Sequence, residues 1–293
     1  MILRICVVLM SLAAALEPER ILADDRAAPP SAEATTGGEP SPAAAQARSA
    51  VDIIGHRGAS HDAPENTVAA FREAWKQGAD GAELDIYLTA DGYIVACHDK
   101  DTKRTAGVEI LVAKSTLKEL RSLDVGAWKG EDFVGEGIPT LEQMLEAVPQ
   151  EKKVYIEVKC GPEIVPELIR KLEAFDRPVS RTPVICFNAD VVAAVKKARP
   201  DRPAYWLSDL KNGKTAESLI ARAKEIGADG LDLKAGPELD EAFAAKVRDA
   251  GLRLDVWTVN DIDLARRLVS IGVDGITTDK PKELRTGVEQ GVR

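Results

Sequence analysis

Four short groups of acidic, basic and histidine residues each close an apolar, strand-like run in this 293-residue chain. They are His56-Arg57-Gly58, Glu83-Leu84-Asp85, His98-Asp99 and Glu157-Val158-Lys159. Histidine exchanges protons near neutral pH, clustered carboxylates suit a hard cation, and arginine and lysine bind anions. This combination of residue types indicates metal-assisted cleavage of a phosphate ester.

Three of the acids have the spacing of a metal site. Glu83 and Asp85 are two residues apart on a predicted strand, so both carboxylates project to the same face, and Glu157 on the next barrel strand can add a third oxygen. All-oxygen coordination favours Ca²⁺, Mg²⁺ or Mn²⁺ over zinc, and we predict one divalent cation, Ca²⁺ or Mg²⁺. The alternative is a layer of salt bridges to Arg57 and Lys159 without a metal.

Two of the three histidines, His56 and His98, end neighbouring strands, which favours a shared role in proton transfer over two separate structural roles. Arg57 offers a planar, two-donor contact to a phosphate, and Lys159 offers a point charge. Lys159 could instead merely neutralise Glu157.

Phe187 and Trp257 end later strands at the same face. They can pack against the carbon skeleton of a substrate, although filling of the core explains them nearly as well. We include both as candidate substrate-binding residues.

Strand-like and helix-like runs alternate from Val51 onward, which predicts a parallel sheet with helical crossovers. The nine predicted strands are Asp52–His56, Gly81–Ile86, Tyr93–His98, Val154–Lys159, Pro183–Phe187, Ala204–Leu207, Gly230–Leu233, Arg253–Val259 and Gly275–Thr278. Asp91-Gly92 is a two-residue hairpin signal, so the third strand should return antiparallel and bring His98 opposite Asp85. The other eight strands predict an α/β fold, a (β/α)8 TIM barrel, with a small insertion over residues 101–140 after the His98-Asp99 hairpin strand.

The N-terminus has the pattern of an export signal, because Arg4 precedes an apolar run, Ile5 to Leu16, that is shorter than a membrane span. We therefore expect a signal peptide over residues 1–23, a disordered Ala/Pro-rich linker over 24–50, a barrel over 51–287 and a periplasmic or secreted protein. The net charge of -9, without a basic cluster, argues against nucleic acid as a partner. No stable membrane span is expected, and no feature of the sequence indicates an oligomeric state.

The motifs together resemble the glycerophosphodiester phosphodiesterase family, in order from about Ile53 to Glu283. The matching segments are HRGASHDAPENT (56–67), ELD (83–85), DGYIVACHD (91–99), IPTLEQ (138–143), IEVK (156–159), VWTVN (256–260) and GITTDKP (275–281). The resemblance implies a (β/α)8 barrel with a small insertion after the HD motif. It further implies that His56 and His98 are the acid/base pair, that the three acids hold a divalent metal, and that Arg57 and Lys159 bind the phosphate.

The expected reaction is hydrolysis of a small-molecule glycerophosphodiester to glycerol 3-phosphate and an alcohol. The nucleophile is either water or the neighbouring glycerol hydroxyl group, since both routes use the same residues. A related barrel phosphodiesterase acting on lysophospholipid, sphingolipid or phosphoinositide head groups is the main alternative, and a binding barrel without activity is a third.

Overall fold

A computed structural model describes residues 51–291. The predicted signal peptide (1–23) and linker (24–50) lie outside the described residues. No helix within 51–291 combines the length and the hydropathy that crossing a membrane requires.

Nine strands within the described residues form one sheet that closes into a barrel. The strands are β1 (Asp52–Gly55), β2 (Gly81–Leu88), β3 (Ile94–Ala96), β4 (Lys153–Val158), β5 (Val184–Cys186), β6 (Ala204–Ser208), β7 (Gly230–Lys234), β8 (Arg253–Trp257) and β9 (Gly275–Thr278). Their order is β1-β9-β8-β7-β6-β5-β4-β2-β3, and a further pairing of β1 with β2 closes the ring. All pairings within the ring are parallel, so the predicted (β/α)8 barrel is confirmed.

Ten helices of the described chain follow or connect the strands. They are α1 (Val68–Lys76), α2 (Lys103–Ala106), α3 (Leu117–Leu120), α4 (Leu141–Glu146), α5 (Val165–Ala174), α6 (Ala189–Ala198), α7 (Ala216–Glu225), α8 (Glu241–Asp249), α9 (Ile262–Ile271) and α10 (Pro281–Gly291). The crossover helices place Leu, Val and Ala against the outside of the barrel, as their helical spacing predicts. Side-chain caps fix where several of them begin, as when the Thr67 hydroxyl accepts a hydrogen bond from the backbone N–H of Ala70.

The β2–β3 hairpin is antiparallel as predicted, but its turn is one residue longer than Asp91-Gly92 suggests. The backbone N–H of Thr89 donates to the carbonyl of Tyr93 over 2.8 Å, which leaves residues 90–92 as a three-residue loop. Gly92 has a φ of 83°, the left-handed conformation that completes such a loop after an ordinary turn.

This longer loop shifts the register of the hairpin by one residue. The backbone N–H of Cys97, not that of His98, donates to the carbonyl of Asp85 over 3.0 Å. The expected pairing of His98 with Asp85 was therefore wrong. His98 lies beyond the end of β3 and approaches the mouth of the barrel from there.

The insertion over 101–140 builds a small core of its own against β3. Val112, Leu120, Val125 and Ile138 from the insertion are buried together with Val95 of the strand. The segment contains two short helices and two 3-10 turns; one of the turns carries Val112 and one of the helices carries Leu120, so the segment is a packed unit beside the mouth.

The opposite end of the barrel is filled by an ionic network. The Asp52 carboxylate accepts hydrogen bonds from Lys153 at 2.5 Å and Arg253 at 2.7 Å, and Arg253 also contacts the buried Asp255 at 2.8 Å. Gly230 makes room for this network, because a Cβ there would lie 2.8 Å from the Arg253 carbonyl oxygen and 2.9 Å from the Tyr205 ring.

Gly230→Ala should therefore destabilise the barrel by about 1–3 kcal/mol, the usual cost of overpacking a tight interior. Urea denaturation would measure this loss. Gly137→Ala is a matched control, since its added Cβ would have no neighbour nearer than 3.7 Å. Equal unfolding midpoints for the two variants would contradict the role of Gly230.

Candidate active site

The predicted site residues meet at one cavity of about 140 Å³ at the mouth of the barrel. Those that line it are His56, Arg57, Glu83, His98, Glu157, Lys159, Phe187 and Trp257. Asp85 does not line the cavity but is buried directly beside it and forms ion pairs with Arg57 and Lys159, which do. Parallel strands present their carboxyl ends at one face of a barrel, which is why segments far apart in sequence converge here.

The three acids form one cluster. One carboxylate oxygen from each of Glu83, Asp85 and Glu157 lies within 4.8 Å of the others. Burial and the negative charge of Asp85 raise the pKa of Glu83 well above its usual range, and the same causes raise the pKa of Glu157 to about 7. Glu83 Oε1 is buried without a hydrogen-bond partner. An orphaned oxygen in a mutually repelling all-oxygen cluster fits a divalent cation.

The loop after β1 orients this cluster through two residues in the left-handed conformation. Arg57 has a φ of 53°, and its backbone N–H donates to Glu83 Oε2 over 2.8 Å. Asn66 has a φ of 58°; its Nδ2 donates to Asp85 Oδ2 over 2.8 Å, while its Oδ1 accepts from the Asp85 backbone N–H. Such conformations are disfavoured for residues with a Cβ, and they concentrate at functional sites.

The two predicted anion-binding residues flank the acids. Lys159 Nζ lies 2.7 Å from Glu157 Oε1 and 3.4 Å from Asp85 Oδ1. Arg57 Nη1 bonds Glu65 at 2.9 Å, and its Nε lies 3.1 Å from Asp85 Oδ2 without the alignment of a hydrogen bond. The layer of salt bridges, which the sequence allowed as the alternative to a metal site, is thus present. It nevertheless leaves Glu83 Oε1 without a partner.

Burial tends to lower the pKa of both cations, but the surrounding carboxylates outweigh it. The pKa of Lys159 is raised by Asp85 and Glu157, and that of Arg57 by Asp85 and Glu65. Both side chains therefore carry a full positive charge beside the cavity, where a phosphate oxygen could be bound.

Each of the two histidines at the cavity is held by an aspartate. His56 Nδ1 lies 2.7 Å from Asp279 Oδ1, and His98 Nδ1 lies 2.7 Å from Asp99 Oδ1. Within residues 51–291 the Nε2 atom of neither ring has a hydrogen-bond partner. A carboxylate on Nδ1 fixes the orientation of an imidazole and leaves Nε2 for proton transfer. Burial, the largest influence, lowers the pKa of His98.

An aromatic pair forms the wall of the cavity that faces the charged residues. The rings of Phe187 and Trp257 meet edge to face with centroids 5.5 Å apart, and the Trp257 indole N–H donates to the backbone carbonyl of Asp232. Ile185 and Leu207 extend this apolar wall into the barrel. The cavity thus has a charged side and an apolar side.

Sequence reasoning assigned no role to Asp279, although it lies in the GITTDKP segment directly after β9. The sequence feature that could have identified it is its position, as an acid at the carboxyl end of a barrel strand. The hydrogen bonds from His56, Asn260 and Ser60 hold its pKa far below the usual range despite its burial. The role of Asn66 is also visible only in the structure: Thr67 caps α1, and Asn66 supports Asp85.

Comparison with known proteins identifies the family. The model of the glycerophosphoryl diester phosphodiesterase family matches residues 56–283. The chain belongs to this family. A glycerophosphodiester phosphodiesterase of Caldanaerobacter subterraneus subsp. tengcongensis is 35% identical over 244 residues, covering 82% of this chain and 98% of the relative. A putative glycerophosphodiester phosphodiesterase of Bacillus subtilis is 36% identical over 232 residues, covering 78% and 94%.

A solved structure agrees with this assignment. The phosphodiesterase of Oleispira antarctica, determined in complex with the product sn-glycerol-3-phosphate, has a TM-score of 0.74 and 28% identity, covering 81% of this chain and 96% of that one. The chain is accordingly an enzyme of the glycerophosphoryl diester phosphodiesterase family, as the resemblance of its motifs predicted.

The raised pKa values in the acidic cluster predict that the folding stability of the metal-free enzyme falls as the pH rises. The pKa of Glu157 is raised from 4.5 to about 7, and that of Glu83 is raised too, so the folded state holds protons that the unfolded state has released. The protonated carboxyl groups contribute their full stability below pH 4.5, and the contribution of Glu157 should be lost as the pH rises through about 7.

Thermal denaturation of the metal-free enzyme, compared with Glu83→Gln/Glu157→Gln, would isolate this contribution. The wild type should lose stability relative to the double variant as the pH rises, and Ca²⁺ should restore it at high pH. A constant difference between the two proteins would contradict the raised pKa values.

Proposed function

We propose that the protein is a metal-dependent glycerophosphodiester phosphodiesterase that releases glycerol 3-phosphate and an alcohol, with His56 and His98 as the acid/base pair. The observation that carries this proposal is the convergence of three carboxylates and two aspartate-held histidines on one small cavity. The Oleispira antarctica relative, whose complex contains sn-glycerol-3-phosphate, supports the choice of product.

In this proposal Arg57 and Lys159 bind the non-bridging oxygens of the phosphodiester and stabilise the charge that grows on them. Glu83, Asp85 and Glu157 would hold a divalent cation, Ca²⁺ or Mg²⁺, which supplies further positive charge to the phosphate.

Proton transfer falls to the two histidines. One takes a proton at Nε2 from the nucleophile, either water or the neighbouring glycerol hydroxyl group, and the other donates a proton to the oxygen of the departing alcohol. Asp279 and Asp99 keep the rings oriented during this exchange. Direct hydrolysis and passage through a cyclic phosphate both use this arrangement.

The size of the cavity supports a deacylated substrate. A space of about 140 Å³ suits a glycerol-sized group rather than an acyl chain, since a cavity of about 150 Å³ holds a molecule the size of benzene. Glycerophosphoethanolamine should therefore be hydrolysed with kcat/KM about tenfold or more above that for lysophosphatidylethanolamine, a difference of ~1.4 kcal/mol or more.

Both substrates would be measured below the micellar concentration of the lysolipid, so that aggregation does not limit access. A clear preference for the lysolipid under these conditions would favour a lipid-acting phosphodiesterase over the proposed activity.

A further inference from the structure

Asp232 is a buried acid that the proposed reaction does not use. It lies on β7 and lines the cavity, yet the residue is only 2% exposed. Its Oδ1 has no hydrogen-bond partner within residues 51–291. The neighbouring strands do not supply one, because Leu207 lies beside it on β6 and Asp255 on β8 is already paired with Arg253.

A buried carboxyl oxygen without a partner weakens a fold, because the group has lost its water and gained nothing in return. An apolar residue of similar size at this position would be neutral or stabilising on these grounds. Proteins break this rule at functional sites, where a ligand can complete the missing bond.

The position of Asp232 indicates which part of a substrate it would meet. Going around the closed ring, β7 is four strands from β2 in either direction, so Asp232 faces the side that carries Glu83. Arg57, Lys159 and the acids occupy that charged side, where the phosphate would bind. A substrate held there would extend its far end toward Asp232, beneath the wall formed by Trp257.

A hydroxyl group suits this place better than a charged one. A carboxyl oxygen accepts a hydrogen bond from a hydroxyl group whether or not the acid is protonated. The hydroxyl-bearing Thr277 lines the same cavity, and Leu207 and Trp257 offer contacts to carbon atoms. A polyhydroxy alcohol, which offers both hydroxyl groups and carbon atoms for contact, matches these surroundings.

We propose that Asp232 is a specificity-determining residue that binds the terminal hydroxyl group of the glycerol moiety, the one farthest from the phosphorus. The assignment rests on the proposed function. The hydroxyl group donates to a carboxyl oxygen of Asp232 while the phosphate is bound by Arg57 and Lys159, so both ends of the glycerol phosphate unit are fixed.

The test compares two substrates that differ in this hydroxyl group alone. They are the 4-nitrophenyl phosphodiesters of glycerol and of propane-1,2-diol. In each, the primary oxygen at C1 of the alcohol is bonded to phosphorus. Both keep the hydroxyl group next to the phosphate, so either chemical route is open to both, and the leaving group is identical. The wild type should have a kcat/KM for the glycerol diester about tenfold or more above that for the propanediol diester. The reason is that the propanediol diester leaves the Asp232 carboxyl group without a hydrogen-bond partner.

Asp232→Leu should lower kcat/KM for the glycerol diester by about 10–100-fold and leave that for the propanediol diester within about twofold. Asp232→Asn, which keeps an acceptor oxygen, should retain most of the preference. Asp232→Ala provides the same comparison as the leucine variant with a larger cavity. Asp232→Leu should also melt at the same temperature as the wild type or above it.

An equal loss on both substrates would overturn the proposal, as would a wild type that does not distinguish them or a leucine variant that melts well below it. The same variants would also be assayed on glycerophosphocholine, and a loss confined to that substrate would contradict the proposal and assign Asp232 to a cationic alcohol instead. If the wild type hydrolyses no glycerol diester at all, the proposed function itself fails; the other contradicting outcomes leave that function intact.

Discussion

Removal of divalent cations should abolish hydrolysis of glycerophosphodiesters by this enzyme, and Ca²⁺ or Mg²⁺ should restore it. The expected effect is large because Glu83, Asp85 and Glu157 bring three carboxylates within 4.8 Å with only two cationic side chains among them. Without a divalent ion, this repulsion remains and the phosphate meets a site with excess negative charge. Activity would be measured after exhaustive chelation and again after each metal is returned.

Replacement of the ligands should reproduce the effect of chelation. Glu83→Gln and Asp85→Asn should each lose activity at ordinary metal concentrations and regain part of it at high concentrations. Asp263→Asn is the matched control, because the Asp263 side chain is 90% exposed and its ion pair is with Arg266 of its own helix. Full turnover by thoroughly metal-free enzyme would show that the cluster is a salt-bridge layer.

His56→Ala and His98→Ala should each lower kcat by about 10²–10⁴-fold, the usual scale for loss of a positioned acid or base. Both rings line the cavity and each is oriented by an aspartate at 2.7 Å, and in the proposed reaction each histidine moves a different proton. Because the pair acts in one reaction, the double variant should lose much less than the product of the single effects.

His61→Ala is the control for these variants. His61 is the remaining histidine of the chain. It is half-exposed and its Nδ1 contacts Asp62, so its replacement should leave kcat nearly unchanged. If His56→Ala or His98→Ala kept near-normal kcat with an intact fold, that histidine would be structural.

Much of the barrel and the composition of its mouth could be predicted from sequence. Strand-length apolar runs alternate with amphipathic helices, and parallel strands place their final residues at one face, so residues as distant as His56 and Glu157 were expected to meet. The two-residue spacing of Glu83 and Asp85 specified which carboxylates converge. These features depend on local periodicity, which a sequence displays directly.

The details that were wrong or missed depend on backbone conformations that residue type specifies weakly. The extra loop residue in the β2–β3 hairpin depends on the left-handed conformation of Gly92, and it moved the pairing partner of Asp85 from His98 to Cys97. The support that Asn66 gives Asp85 depends on a left-handed asparagine, which a helix-capping pattern conceals. The lack of a partner for Asp232 is a property of its surroundings and has no local signal.

The measurement that tests the central claim most directly is ³¹P NMR of glycerophosphocholine incubated with the enzyme and Ca²⁺ or Mg²⁺. The proposed arrangement predicts that the diester resonance is replaced by that of glycerol 3-phosphate, with choline released and the conversion stopped by chelator. Appearance of phosphocholine and glycerol, or conversion that continues without a divalent cation, would contradict it.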